Sequence, residues 1–444
     1  MQERYELEAE AFLEGINREY YLTGAGLKET LAIAPLYERY GWLFSREAIG
    51  PLLDRRHEQR GRFLAEFAVQ GYLDDSVKAL SEERTNGMIR AKVEWDGKEI
   101  PYRSVTVVLA NEPEAGRRHE LNSRLAARTA DFNPTQLRRL RRLHHEATAL
   151  GFPDYIDLCD QLGELKLGWL EGQMGSLLER TSSTYFARLE NMLAGIGVAT
   201  AEADNSDISF LFRSPQFDPL FPKERLLSAL RQTLGGLGIA IDRQPNLQLD
   251  VDARPLKSPR AFCAPIRIPG EVILVIMPHG GQDDYHSLLH EAGHAEHFAN
   301  TAADLDFAYR CLGDSSVTEG YAMLLDELLR SPRWLEDVLG IAHPDALLRL
   351  LNFRKVYMLR RYASKLLYEL RLHRSDGEGL SEVYADTLGE NLGIKIKPEN
   401  YLTDLDDAFY AARYLRAWVF EVQLRRVLEE RFGKAWFASR QAGS

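Results

Sequence analysis

The chain has 444 residues, 45% of them hydrophobic and 27% charged, and carries a net charge of −11. That length exceeds a single ordinary hydrophobic core, and this composition excludes both a disordered chain and a bundle of membrane spans. The acidic balance argues against a nucleic-acid groove.

No apolar run approaches membrane-spanning length, so no membrane partner is expected. The first residues, Met1-Gln2-Glu3-Arg4, lack the basic-then-apolar pattern of a signal peptide. Cys159, Cys263 and Cys311 are too widely spaced for a structural zinc site and suit reduced thiols better than a disulfide framework. A cytoplasmic location is the expectation.

Residues 3–80 and 134–193 carry apolar side chains at helical spacing among Glu, Arg and Gln, with few breakers, which predicts helices. Between them, residues 91–109 read as a hairpin, because Val93, Trp95, Val105, Val107 and Val108 flank the turn signal Asp96-Gly97. Residues 203–222 concentrate Asp, Ser and Pro and mark a boundary between an N-terminal helical lobe, 1–202, and a C-terminal lobe, 203–444. Two runs rich in β-branched residues, 261–268 and 271–277, are joined by Pro269-Gly270 and predict a second hairpin. Gly280-Gly281 then breaks the chain, and Asp283 or Asp284 can cap a helix that runs through Phe298.

Inside that helix stands His290-Glu291-Ala292-Gly293-His294. Residues four apart share a helical face, so two imidazoles can reach one ion while Glu291 flanks the open coordination position as a general base. His57-Glu58 and His144-His145-Glu146 lack a second His four residues after the first and are read as ordinary helix residues. A catalytic zinc takes three protein ligands and keeps a water. Glu319, early in a second predicted helix, is the candidate third ligand. A competing reading makes Ser316-x-x-Glu319 a capping box, in which the acid serves only its own helix. His286 and His297 continue the face of the first helix as orienting groups or solvated neighbours. Asp326 lies on the face of Glu319, where it either orients a ligand or is a surface acid.

These residues resemble the thimet oligopeptidase and oligoendopeptidase F family of zinc peptidases (gluzincin type), and more distantly the angiotensin-converting-enzyme family. Ala261-Phe262-Cys263 before a hairpin, His290 to His297, and Glu319 stand in the family's order and approximate spacing, and His297 fits its third histidine. The recognisable motifs span residues 258–432. The resemblance implies a mainly α fold: an elongated helical body with a deep central channel covered by the N-terminal lobe, and a small hairpin or sheet beside the active site. It implies one Zn2+ per chain on His290, His294 and Glu319. It also implies short peptide substrates whose backbone is held along Ala261, Phe262 and Cys263.

Near the C-terminus, Phe409 to Trp418 looks like the family's Tyr-rich helix, with Tyr414 as the phenol offered to the reaction intermediate and Tyr410 second. At helical spacing the same residues also read as core aromatics. The family usually carries a His shortly before this Tyr pair, and residues 402–409 contain none. The expected function is hydrolysis of internal bonds in short peptides. The alternatives are a zinc carboxypeptidase, dipeptidase or non-peptide amide hydrolase, or a non-catalytic zinc-containing peptide-binding protein. The intact Glu291 speaks against the last.

Overall fold

The structure is a computed structural model, and it describes residues 2–444. It is mainly α with a small sheet, as expected, and helices occupy most of both stretches read as helical. Gln2–Gly24, Ala34–Tyr40, Arg46–Asp54 and Gln59–Arg90 fill the first; Asn133–Ala149, Tyr155–Gly163 and Leu167–Ala194 fill the second. No helix among the described residues is long and apolar enough to cross a membrane.

The chain divides into two compact units: Met1–Val69, Pro215–Leu348 and Arg416–Ser444 form one, and Gln70–Ser214 with Arg349–Leu415 form the other. Neither is a single stretch, so the partition at residue 202 does not coincide with them. One crossing between the units, from Ser214 to Pro215, does lie inside the Pro- and Ser-rich stretch 203–222, whereas the others, at 69–70, 348–349 and 415–416, follow from burial among segments distant in sequence.

In the second unit the Asp96-Gly97 turn joins two short antiparallel strands, Lys92–Trp95 and Lys98–Pro101. Val105, Val107 and Val108 belong instead to the helix Val105–Asn111. Pro101 brings no N–H to extend the ladder. Val105 and Leu109, four apart on one helical face, then pack with Val93, Trp95 and Phe132 in one cluster. Tertiary burial here overrides the strand preference of the valines.

In the first unit, strands β1 (Leu247–Asp250), β2 (Phe262–Arg267) and β3 (Glu271–Val275) form a sheet in the order β1-β3-β2. β1 runs parallel to β3, and β2 pairs antiparallel with it across the predicted Pro269-Gly270 turn. The helix Gln2–Gly24, α1, brings Tyr21 against Ala264, Ile266, Ile273 and Val275 of this sheet.

Two further helices carry the histidine motif and the candidate third ligand: α2, Gln282–Ala299, and α3, Ser315–Asp326. The N-cap of α2 is Gly281, at φ 92°, a left-handed conformation that glycine adopts without strain. Asp284 reaches back from the first turn, its Oδ2 accepting from the N–H groups of His279 and Gly280 at 2.5 and 2.6 Å. α3 is capped by Asp314, whose carboxylate accepts from the Ser316 N–H at 2.9 Å.

α2 and α3 touch through Gly293. A Cβ built there would lie 2.5 Å from both Ala322 Cα and Tyr321 O. Both obstacles are backbone, so no side chain can swing aside. Gly293→Ala is therefore expected to cost about 1–3 kcal/mol, the range for overpacking, by forcing the helices apart. It should also weaken the binding of a metal ion between the two helices. Urea unfolding followed by a probe in the first unit, together with zinc titration, checks both; wild-type values in the two measurements would contradict the packing.

Candidate metal centre

His290 and His294 on α2 and Glu319 on α3 each present a ligand atom within 4.8 Å of the other two. Nε2 of His290 lies 3.4 Å and Nε2 of His294 3.8 Å from the same oxygen, Glu319 Oε2. The opposite ring nitrogens are committed elsewhere. His290 Nδ1 is 2.9 Å from Asp326 Oδ2, and His294 Nδ1 is 2.7 Å from Thr318 Oγ1. An imidazole that binds an ion through Nε2 keeps its proton on Nδ1, so both rings would donate outward to these oxygens. Two imidazoles, one carboxylate and outer groups that set the tautomer match the donor set of an open tetrahedral zinc site.

The capping-box reading of Glu319 fails on position. With Asp314 as N-cap, Val317 and not Glu319 is the third helical residue, from which a capping acid would reach back. Glu319 is instead buried, 6% exposed, on the face turned towards α2.

Burial disfavours a charged His290, but hydrogen bonds to Asp326 and Glu319 outweigh it and hold its pKa up at about 10. His294 is pushed down to about 4, by burial and then by its charged neighbour His290. Burial raises Glu291 to about 6, against the lowering effects of His290 and of the Cys263 N–H, which donates to Glu291 Oε2 at 2.8 Å. The Cys263 thiol, pushed well above its ordinary value by burial and then by Glu291, is no thiolate nucleophile.

The remaining candidates are placed as follows. His297 stacks on Tyr321 at 5.0 Å, and its Nδ1 makes no hydrogen bond among the described residues. His286 Nδ1 stands 3.7 Å from Asp326 Oδ2. Ala261 immediately precedes β2, and Phe262 and Cys263 are its first residues. Tyr410 and Tyr414 belong to the second unit, where Tyr414 stacks on Tyr362 at 5.0 Å and lies 5.8 Å from Tyr410.

Sequence reasoning missed Thr318 and Asn17. Thr318 precedes Glu319 and was in plain view, but its partner His294 is assigned only by the approach of α2 to α3. Asn17 of α1 donates from Nδ2 to the Pro265 carbonyl at 2.8 Å, 248 residues away, and no local pattern signals it.

A second group of the right residue types, His119, Asp204 and Asp207, lies in the second unit. It is already closed. Asp207 holds the fully buried Arg118 guanidinium at 2.6 Å and His119 Nε2 at 2.6 Å, and Asp204 caps the helix Asn205–Arg213 while accepting from Asn122. An ion there would meet a buried guanidinium.

No known protein family and no curated protein matches the sequence. Solved structures do match over nearly the whole chain. One is assigned to an oligoendopeptidase F from Bacillus anthracis str. Ames, with TM-score 0.58, 16% identity, and coverage of 100% of this chain and 79% of that one. PZ peptidase A, solved with an inhibitor, gives TM-score 0.59 at 13% identity over 100% of this chain and 81% of that one. The Pyrococcus furiosus carboxypeptidase gives 0.56 at 13% identity over 99% and 89%. The chain has the fold of these peptidases.

Among the described residues the neutral hydroxyl of Thr318 is the only outer group on His294 Nδ1. Thr318→Val keeps the shape and removes the oxygen, and is expected to weaken metal affinity about 10–100-fold, the usual cost of losing such a partner. Thr318→Ser should restore most of it. Competition titration with a chromogenic chelator reads the difference; equal affinity in the valine variant and wild type would remove Thr318 from the site.

Proposed function

We propose that the protein is a zinc-dependent peptidase that cleaves internal bonds of short peptides in the cytoplasm, with His290, His294 and Glu319 as ligands and Glu291 as general base. The observation that carries this reading is the convergence of two Nε2 atoms on Glu319 Oε2, with Glu291 on the same helix between the two histidines. The peptidase fold supports it, and the three cysteines, none in a disulfide, accord with a reducing compartment.

Zinc bound there would supply a water of lowered pKa and a Lewis acid for the peptide carbonyl. The chain's own groups do the rest. Asp326 and Thr318 hold the imidazole tautomers. Glu291 takes the proton of the attacking water and returns it to the leaving amine. Tyr414, with Tyr410 one helical turn before it, is the proposed donor to the oxygen on which negative charge develops.

A peptide backbone held along β2 would be confined to Ala261, Phe262 and Cys263. Past them, Pro265 has no N–H to offer and its carbonyl is taken by Asn17.

Glu291→Gln is expected to keep zinc and fold and to lose nearly all turnover on quenched short peptides, because the neutral isostere removes the base and empties no ligand position. Tyr414→Phe should instead lower turnover about 10²–10³-fold with little change in KM, as for loss of one oxyanion donor. Full turnover in Glu291→Gln would end this mechanism. A silent Tyr414→Phe beside a crippled Tyr410→Phe would move the donor by one turn.

A further inference from the structure

The outward edge of β2 is almost entirely spoken for. In its antiparallel pairing with β3, Cys263 stands opposite Leu274 and Pro265 opposite Val272, and successive residues point alternately towards and away from β3. The Cys263 N–H goes to Glu291 Oε2 at 2.8 Å, so residues 263 and 265 are the outward pair. Pro265 has no N–H, and its carbonyl accepts from Asn17. Between residues 262 and 266, therefore, the one N–H directed away from β3 is the one bonded to Glu291.

A glutamate on a helix surface has three rotatable bonds and ordinarily samples several rotamers. Glu291 does not rest on its own helix. One of its oxygens is tied to the sheet, which α1 packs against through Tyr21. We infer that the main-chain N–H of Cys263 is a positioning donor for Glu291: it fixes one carboxylate oxygen and leaves the other to handle the proton. The donor is set by strand register, not by a side chain, so any residue but proline at this position supplies it. This role rests on the reading of Glu291 as the base.

The test is Cys263→Pro, which deletes the donor at an edge position where the strand already carries a proline two residues on. Cys263→Ala, which changes the side chain and keeps the donor, is the reference. In zinc-loaded protein acting on quenched short peptides, kcat of Cys263→Pro should fall at least ~10-fold below that of Cys263→Ala, with KM within about 3-fold and equal zinc content. A rise in KM at unchanged kcat would make the N–H a substrate donor and overturn the inference, as would equal kinetics in the two variants.

If the proline variant does not fold, amide hydrogen exchange on the wild-type sequence decides. The Cys263 amide should exchange at least ~10-fold faster in Glu291→Ala than in wild type, while the Ala264 amide, which faces β3, stays protected. Equal exchange at Cys263 in both proteins would overturn the inference. Full turnover in Glu291→Gln would instead remove the base itself. The two failures are thus told apart.

Discussion

The closeness of α2 and α3 at Gly293 is the constraint on which the site depends. Side chains normally hold packed helices 8–10 Å apart. Here the missing Cβ lets the backbone of α3 at Tyr321 and Ala322 lie directly against α2. The short Glu319 side chain then spans the gap to both imidazoles. The residue just before Tyr321, Gly320, repeats the device against a different neighbour, where a Cβ would collide with the ring of Phe420. α3 is therefore clasped between α2 and the C-terminal helix Tyr410–Phe432, on whose Arg416–Ser444 side Phe420 lies.

The closeness makes an electrostatic demand. Imidazoles and carboxylates taken out of water are costly unless each finds a partner. α3 supplies these partners as one rigid element: Glu319 between the histidines, Thr318 on His294 and Asp326 on His290. Glu291 is the exception, since its partner comes from the sheet. The candidate ligands and the candidate base are thereby held by different parts of the unit, which suits the proposed roles, a base that must exchange a proton while the ligands stay still.

Local rules succeeded where a segment answers to its own chemistry. The Pro269-Gly270 hairpin, the helix through the histidine motif and the Asp96-Gly97 turn are all in place. They failed where burial reached across the chain. Val105 to Val108 joined a helix because Val105 and Leu109 could cover the short hairpin. The boundary read at residues 203–222 contains one crossing between the units, from Ser214 to Pro215, but local sequence carried no sign of the crossings at 69–70, 348–349 and 415–416, because the units are assembled from stretches hundreds of residues apart. The capping-box alternative for Glu319 rested on where α3 begins, and Asp314 settled that two residues upstream of Ser316.

The four-residue spacing of His290 and His294, with Glu291 between them, was determined by the sequence alone, because helical periodicity turns spacing into a shared face. The sequence also named Glu319 and Asp326 as candidates, without saying which way either pointed. Only the tertiary structure turned Glu319 inward, placed Thr318 and Asp326 on the two rings, and tied Glu291 to Cys263. Those contacts depend on how closely α2, α3 and β2 approach one another, and that distance is set by a missing Cβ and by strand register, which become legible only when both partners are in view.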